Sequence, residues 1–199
     1  QEIIKQAEYV YMTSLSGDWQ EVLKGVFAAE GPKVIWNPGH IQLDAGFEAI
    51  KDHLARTYVV TVNKDEAIEL VVSHPEMRDK DIEFLNNTRN LLTTIHGWGP
   101  RIVLVTCGKD GAVAYDGENY YEQDILPESE RVDTTGVGDA FGSTFSAGMK
   151  LFGGDIQKSM RLGVTNTASV ISQQGAQNGL LDREAILANM EEAFGGQAG

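Results

Sequence analysis

Four short apolar runs, Glu8–Thr13 (EYVYMT), Lys33–Asn37 (KVIWN), Thr57–Val62 (TYVVTV) and Arg101–Thr106 (RIVLVT), are separated by segments whose apolar residues return at helical spacing. The intervening helices are expected over Gln1–Ala7, Trp19–Ala29, Ala45–Arg56, Asp65–Val72 and Lys80–Ile95. Strands that are apolar on both faces and alternate with helices build a parallel sheet covered on both sides, so the expectation is an α/β fold.

Beyond Thr106 the pattern changes. Ala112–Tyr115 and Asn119–Tyr121 flank Asp116-Gly117, a hairpin signal, and predict an antiparallel ribbon appended to the sheet. A long helix then runs to about Leu151. Gly153-Gly154 breaks it, Asp155 caps a helix to about Ser172 that Gly175 ends, and Asp182–Ala193 forms the last one. The glycine-rich tail Gly195–Gly199 is expected to fray. Without a repeat, linker or low-complexity block, residues 1–199 read as one domain.

Composition narrows the function classes. The 199 residues are 42% hydrophobic with only five prolines, which favours a globular fold over disorder. A net charge of −13 disfavours nucleic acid and anionic membranes as partners, because phosphate backbones reward clustered Lys and Arg. The single cysteine, Cys107, makes no internal disulfide, and no apolar run approaches a membrane span, so a cytoplasmic location is expected.

The chemistry concentrates in Arg131–Gly148 (RVDTTGVGDAFGSTFSAG). Gly136 and Gly138 permit backbone angles that a side chain forbids, and Ala140, Phe141, Thr144, Phe145 and Met149 then recur at helical spacing. The amides of Gly136, Val137 and Gly138 at the positive end of that helix make a ready anion site. Asp139 in the first turn is either a plain complement to the helix dipole or a base sharing the turn with the anion hole. A dinucleotide fingerprint needs glycine where Phe141 stands, and a P-loop needs Lys where Asp139 stands, so neither motif fits.

The nine positions Asp133–Phe141 (DTTGVGDAF) closely resemble the C-terminal signature of the ribokinase-like, or PfkB, carbohydrate kinase family. The resemblance implies a three-layer α/β/α ribokinase-like fold with a mostly parallel central sheet. It also implies ATP-dependent phosphorylation of a sugar or nucleoside hydroxyl, with Asp139 matching the catalytic base and Gly136, Val137 and Gly138 the anion hole. Asn63 and Glu66 match the family's N-x-x-E motif, which places a carboxylate near Mg²⁺ and the phosphates; by spacing alone they form a helix-capping box. Thr106, Gly108 and Gly111 match the nucleotide-binding strand end, and as glycines alone they equally make a tight turn. Asn166–Asn178 resembles the family's late helix and Gly-Ala turn, with Asn166 set against the asparagine that relatives often carry near the nucleotide. Backbone oxygens matching Asp133, Thr135, Gln173 and Gly175 surround a monovalent cation such as K⁺ in many members.

In that family an N-terminal part supplies the first glycine-rich signature, an acidic residue that grips substrate hydroxyls, and a small β lid. None of it is matched here, so the sequence reads as the family's C-terminal portion, with the N-terminal part and lid absent. The expected partners are a small sugar or nucleoside and either a second copy of the chain or the missing segment, with no nucleic acid and no membrane. A nucleoside or hydroxymethylpyrimidine kinase shares this scaffold, and a nucleotide-binding fragment without turnover is the reading from another class. Asn37-Pro-Gly39 either borders the acceptor site or is a plain turn.

Overall fold

The computed structural model describes residues 2–127 and 131–195. The described residues form two compact units: residues 2–107 with Val113–Tyr120, and Gly108–Ala112 with residues 121–127 and 131–195. Residues 196–199 of the expected frayed tail lie outside the described residues, as does Gln1.

The first unit carries α1 (Glu2–Gln6), β1 (Tyr9–Met12), α2 (Trp19–Phe27), β2 (Lys33–Trp36), α3 (His40–Asp44), α4 (Phe47–Leu54), β3 (Val59–Asn63), α5 (Lys64–Ser73), α6 (Ile82–Asn86), α7 (Thr88–His96) and β4 (Ile102–Thr106). The hairpin strands β5 (Ala112–Tyr115) and β6 (Tyr120–Gln123) follow. The strands stand in chain order, β1-β2-β3-β4-β5-β6, and β1 to β4 pair in parallel.

A chain-order parallel sheet has a consequence for its faces. Right-handed crossovers that always step the same way return on one side of the sheet. The core of this unit accordingly takes Val34, Trp36, Val60, Val62, Val103 and Val105 from the strands and packs them with Leu23, Leu43, Ile50, Leu70, Leu91 and Ile95 from the helices. The alternate strand residues Ile35, Val59 and Leu104 are fully buried as well, so these strands are covered on both faces, as their unbroken apolar runs predict.

Two departures from the sequence reading have local causes. The single helix expected over residues 80–95 is broken at Asn87, which sits extended and whose Oδ1 accepts the Arg89 amide hydrogen at 3.0 Å, capping a new helix. The short helix α3 forms ahead of the helix expected from Ala45, because the Gln42 side chain reaches back to accept the Gly39 amide hydrogen at 3.1 Å.

The second unit contains α8 (Val137–Leu151), α9 (Ile156–Ile171) and α10 (Arg183–Phe194). Asp155 caps α9 through the amide of Lys158, as its position predicts, and Asp182 caps α10 through the amide of Ala185, each at 2.9 Å. Helices α8 and α9 approach closely because small residues face their neighbours: a Cβ on Gly148 would stand 2.9 Å from Ser159 Cα, and one on Gly163 would stand 2.8 Å from the Phe141 ring. Phe145 and Met149 on α8 and Met160 on α9 are fully buried.

Candidate active site

The first unit brings two of the expected residues side by side. Asn63 ends β3 and Thr106 ends β4, and the two are direct partners in the parallel register. Both therefore sit at the carboxyl edge of the sheet, where ligands of open α/β folds bind. Asn63 also starts α5 in a reciprocal capping box: its Oδ1 accepts the Glu66 amide hydrogen at 2.9 Å, and Glu66 Oε2 accepts the Asn63 amide hydrogen at 2.8 Å. The cap folds the Glu66 carboxylate back toward the end of β3. Capping and ligand binding are thus compatible roles for the same pair.

In the second unit the turn before α8 has the geometry its glycines suggest. Gly136 is the N-cap in the left-handed region, with φ 76° and ψ 0°. The first bond of the helix runs from Ala140 N to Gly136 O at 2.8 Å, while Val137 N makes only a long 3.4 Å approach to Thr134 O. The Gly138 amide has no hydrogen-bond partner among the described residues. Gly138 and Asp139 are exposed on the first turn, where the helix dipole favours negative charge.

The two signature glycines are glycine for different reasons. A Cβ on Gly136 would lie 2.5 Å from Ala176 Cβ, so both its dihedral and its packing demand glycine. Gly138 has no positive φ, and a Cβ there would meet nothing within 4 Å. Glycine lowers helix stability relative to alanine, so its presence in the first turn is not required by the fold.

The loop that supports this turn is tied to it by Asp133. Its Oδ1 accepts the Thr135 amide hydrogen and its Oδ2 accepts the Gly175 amide hydrogen, both at 2.9 Å. Hydrogen bonds from Thr135, then from Gly175, hold the Asp133 carboxyl below the usual carboxylate range. Asp133, Thr135 and Gly175 are therefore neighbours, and Gln173 lies in the same loop, its amide donating to Val170 O at 3.1 Å. The sequence singled out only main-chain oxygens at Asp133; the carboxylate was missed, although an Asp two residues before an exposed amide is a common side-chain turn. Ala176, which buttresses Gly136, was seen only as part of a Gly-Ala turn.

The remaining expected residues divide. Gly108 has φ 59° with open space where a Cβ would stand. Gly111, at φ 81°, is forced to be glycine by the main chain of Gln123 and Asp124. Asn166 is buried on α9, and its amide is engaged: Nδ2 donates to Thr144 Oγ1 at 2.7 Å and Oδ1 accepts the Leu181 amide hydrogen at 3.0 Å. Those bonds fasten α9 to α8 and to the segment before α10. Among the described residues no helix is long and apolar enough to cross a membrane.

Several known proteins resemble this chain. The chain is 33% identical over 153 residues to the ATP-dependent 6-phosphofructokinase of Thermoanaerobacterium thermosaccharolyticum, covering 77% of this chain and 42% of that protein. It is 29% identical over 130 residues to the cytidine kinase of Thermococcus kodakarensis, covering 64% and 42%. The chain thus spans less than half the length of these curated relatives. Among solved structures, Arabidopsis thaliana ribokinase complexed with ribose and ATP matches with a TM-score of 0.76 and 25% identity, over 96% of this chain and 58% of that one. Thermotoga maritima ribokinase matches with a TM-score of 0.79 at 17% identity, over 96% and 59%, and shares the fold. The profile of the pfkB family carbohydrate kinases extends from residue 1 to residue 183, through the strand ends of the first unit and the signature turn of the second, and the chain belongs to that family.

Proposed function

We propose that this protein transfers the γ-phosphoryl group of ATP to a hydroxyl of a sugar or a related small molecule. The observation that carries the reading is the first turn of α8, where a Gly138 amide without a hydrogen-bond partner among the described residues, open space where a Gly138 Cβ would stand and the Asp139 carboxylate share one turn. Bound ATP supplies the phosphoryl group, and Mg²⁺ neutralises the charge on its oxygens. The chain's own part is positioning and proton transfer. The Gly136, Val137 and Gly138 amides hold the phosphate oxygens, and Asp139 takes the proton from the attacking hydroxyl, whose oxygen forms the new bond to phosphorus as ADP leaves.

The other residues take supporting roles. Thr106 and Asn63, adjacent at the ends of β4 and β3, together with Gly108 and Gly111, serve nucleotide binding. The capped Glu66 would hold the magnesium ion, through its waters, near the end of β3. Main-chain oxygens of Asp133, Thr135, Gln173 and Gly175 suit a monovalent cation such as K⁺, since the Asp133 carboxylate draws three of those residues together. The buried bonds of Asn166 favour a structural role for it over contact with the nucleotide. An ATP-consuming enzyme with a single cysteine fits the cytoplasm.

A nucleoside acceptor is the second reading, supported by the similarity to a cytidine kinase. The deciding experiment incubates the intact protein with ATP and Mg²⁺ against a panel of sugars and nucleosides and measures ADP release. Asp139→Asn is expected to lower turnover by about 10²–10⁴-fold with little change in nucleotide affinity. Turnover within about threefold of wild type would remove Asp139 as the base. Nucleotide binding by the wild type with no acceptor phosphorylated would favour a binding protein over a kinase.

A further inference from the structure

We infer that Gln42 is a positioning residue for the acceptor alcohol, pinning together the loops that follow β1 and β2 so that they present one fixed wall; the inference rests on the kinase reading above. Gln42 is fully buried on α3. Burying a carboxamide is costly unless its polar atoms are paired, and here both ends are paired to main chain. Oε1 accepts the amide hydrogens of Leu15 at 3.2 Å and of Gly39 at 3.1 Å, and Nε2 donates to Leu15 O at 2.8 Å. One side chain therefore holds two loops, 27 residues and three residues away in sequence.

The loops are otherwise in contact as well. A Cβ on Gly39 would run into the Ser14 side chain, so the approach depends on glycine there. Asn37 extends the link sideways: its amide donates to Met12 O at 2.8 Å and its Nδ2 donates to Thr61 O at 2.7 Å, coupling the ends of β1, β2 and β3.

Placement gives this lock its meaning. Because β1 to β4 are parallel, the loops after β1 and β2 leave the same carboxyl edge that carries Asn63 and Thr106. With the ends of β3 and β4 assigned to magnesium and nucleotide, the β1 and β2 loops are the part of this edge left for the second substrate. Ser14 and Ser16 are exposed there, and their hydroxyls match the hydrogen-bonding needs of a polyhydroxylated acceptor.

The test replaces the amide with a side chain of similar volume, Gln42→Met, in the intact protein. The acceptor KM is expected to rise about tenfold or more, since small misplacements of a bound reactant are costly, while the KM for ATP stays within about twofold. Amide hydrogen exchange at Leu15 and Gly39 should accelerate in parallel. Gln42→Asn keeps a neutral amide but is too short to bond both Leu15 and Gly39 well, so its acceptor KM should fall between wild type and Gln42→Met; it carries the test if Gln42→Met does not fold. Acceptor and ATP constants that move together, or an acceptor KM that does not move, overturn the inference. Failure of the kinase reading looks different: the wild type then phosphorylates no alcohol, which removes the acceptor and this role with it.

Discussion

Asp133 Oδ2 accepts the amide hydrogen of Gly175 at 2.9 Å, joining two segments 42 residues apart. The same carboxylate accepts the Thr135 amide hydrogen, so one ionised group sets the spacing between the signature turn and the loop that buttresses it. These bonds favour the charged form and hold the Asp133 pKa below its ordinary value.

A depressed carboxylate pKa fixes the direction of the pH effect. The stabilisation is fully present above the unfolded value, about 3.9, and disappears as pH falls through the lower folded value. Asp133→Asn should therefore melt below wild type by a gap that is constant from about pH 7 to 5 and closes below about pH 4. Thermal melts of both proteins across that range decide it. A gap that survives unchanged to about pH 2 would show that the charge is not what ties the loop.

Glu66 separates capping from metal binding because glutamine can keep the first role and not the second. In Glu66→Gln the side chain still accepts the Asn63 amide hydrogen, so the loss of stability should be about 1 kcal/mol or less. If the carboxylate orients the magnesium waters, the Mg²⁺ concentration for half-maximal rate should rise about tenfold. A magnesium titration beside a melting curve reads both quantities, and an unchanged titration leaves Glu66 as a helix cap alone.

What the sequence made legible was local. The strands β2, β3 and β4 follow from unbroken apolar runs, and the starts of α5, α9 and α10 follow from Asn63, Asp155 and Asp182, whose capping bonds span three residues. The features that escaped depend on partners far along the chain. Gln42 makes its bonds to Leu15, Asn166 to Thr144 and Leu181, and Asp133 to Gly175, and no spacing rule pairs such positions. Asn166 shows that an asparagine that suits a nucleotide site equally suits a buried helix junction. The family signature was legible as a motif, but the reason for each letter was not: Gly136 and Gly138 look alike in sequence and differ in what they avoid.

That difference supplies the sharpest test of the phosphate turn. Gly138→Ala places a methyl group in open space on a helix that prefers alanine, so stability should hold or increase by up to about 1 kcal/mol. If the space belongs to a phosphate, the same methyl should weaken nucleotide affinity or turnover by about tenfold, close to 1.4 kcal/mol. Gly136→Ala should do the reverse in kind. It forces a side chain into φ 76° and against Ala176, costing about 1–3 kcal/mol of folding stability before any ligand is added. Melting temperatures and nucleotide titrations on the two variants therefore separate a residue that the fold requires from one that the ligand requires. A Gly138→Ala protein with unchanged nucleotide affinity and unchanged turnover would mean that nothing occupies the space above the α8 turn, and the phosphate would have to be sought elsewhere.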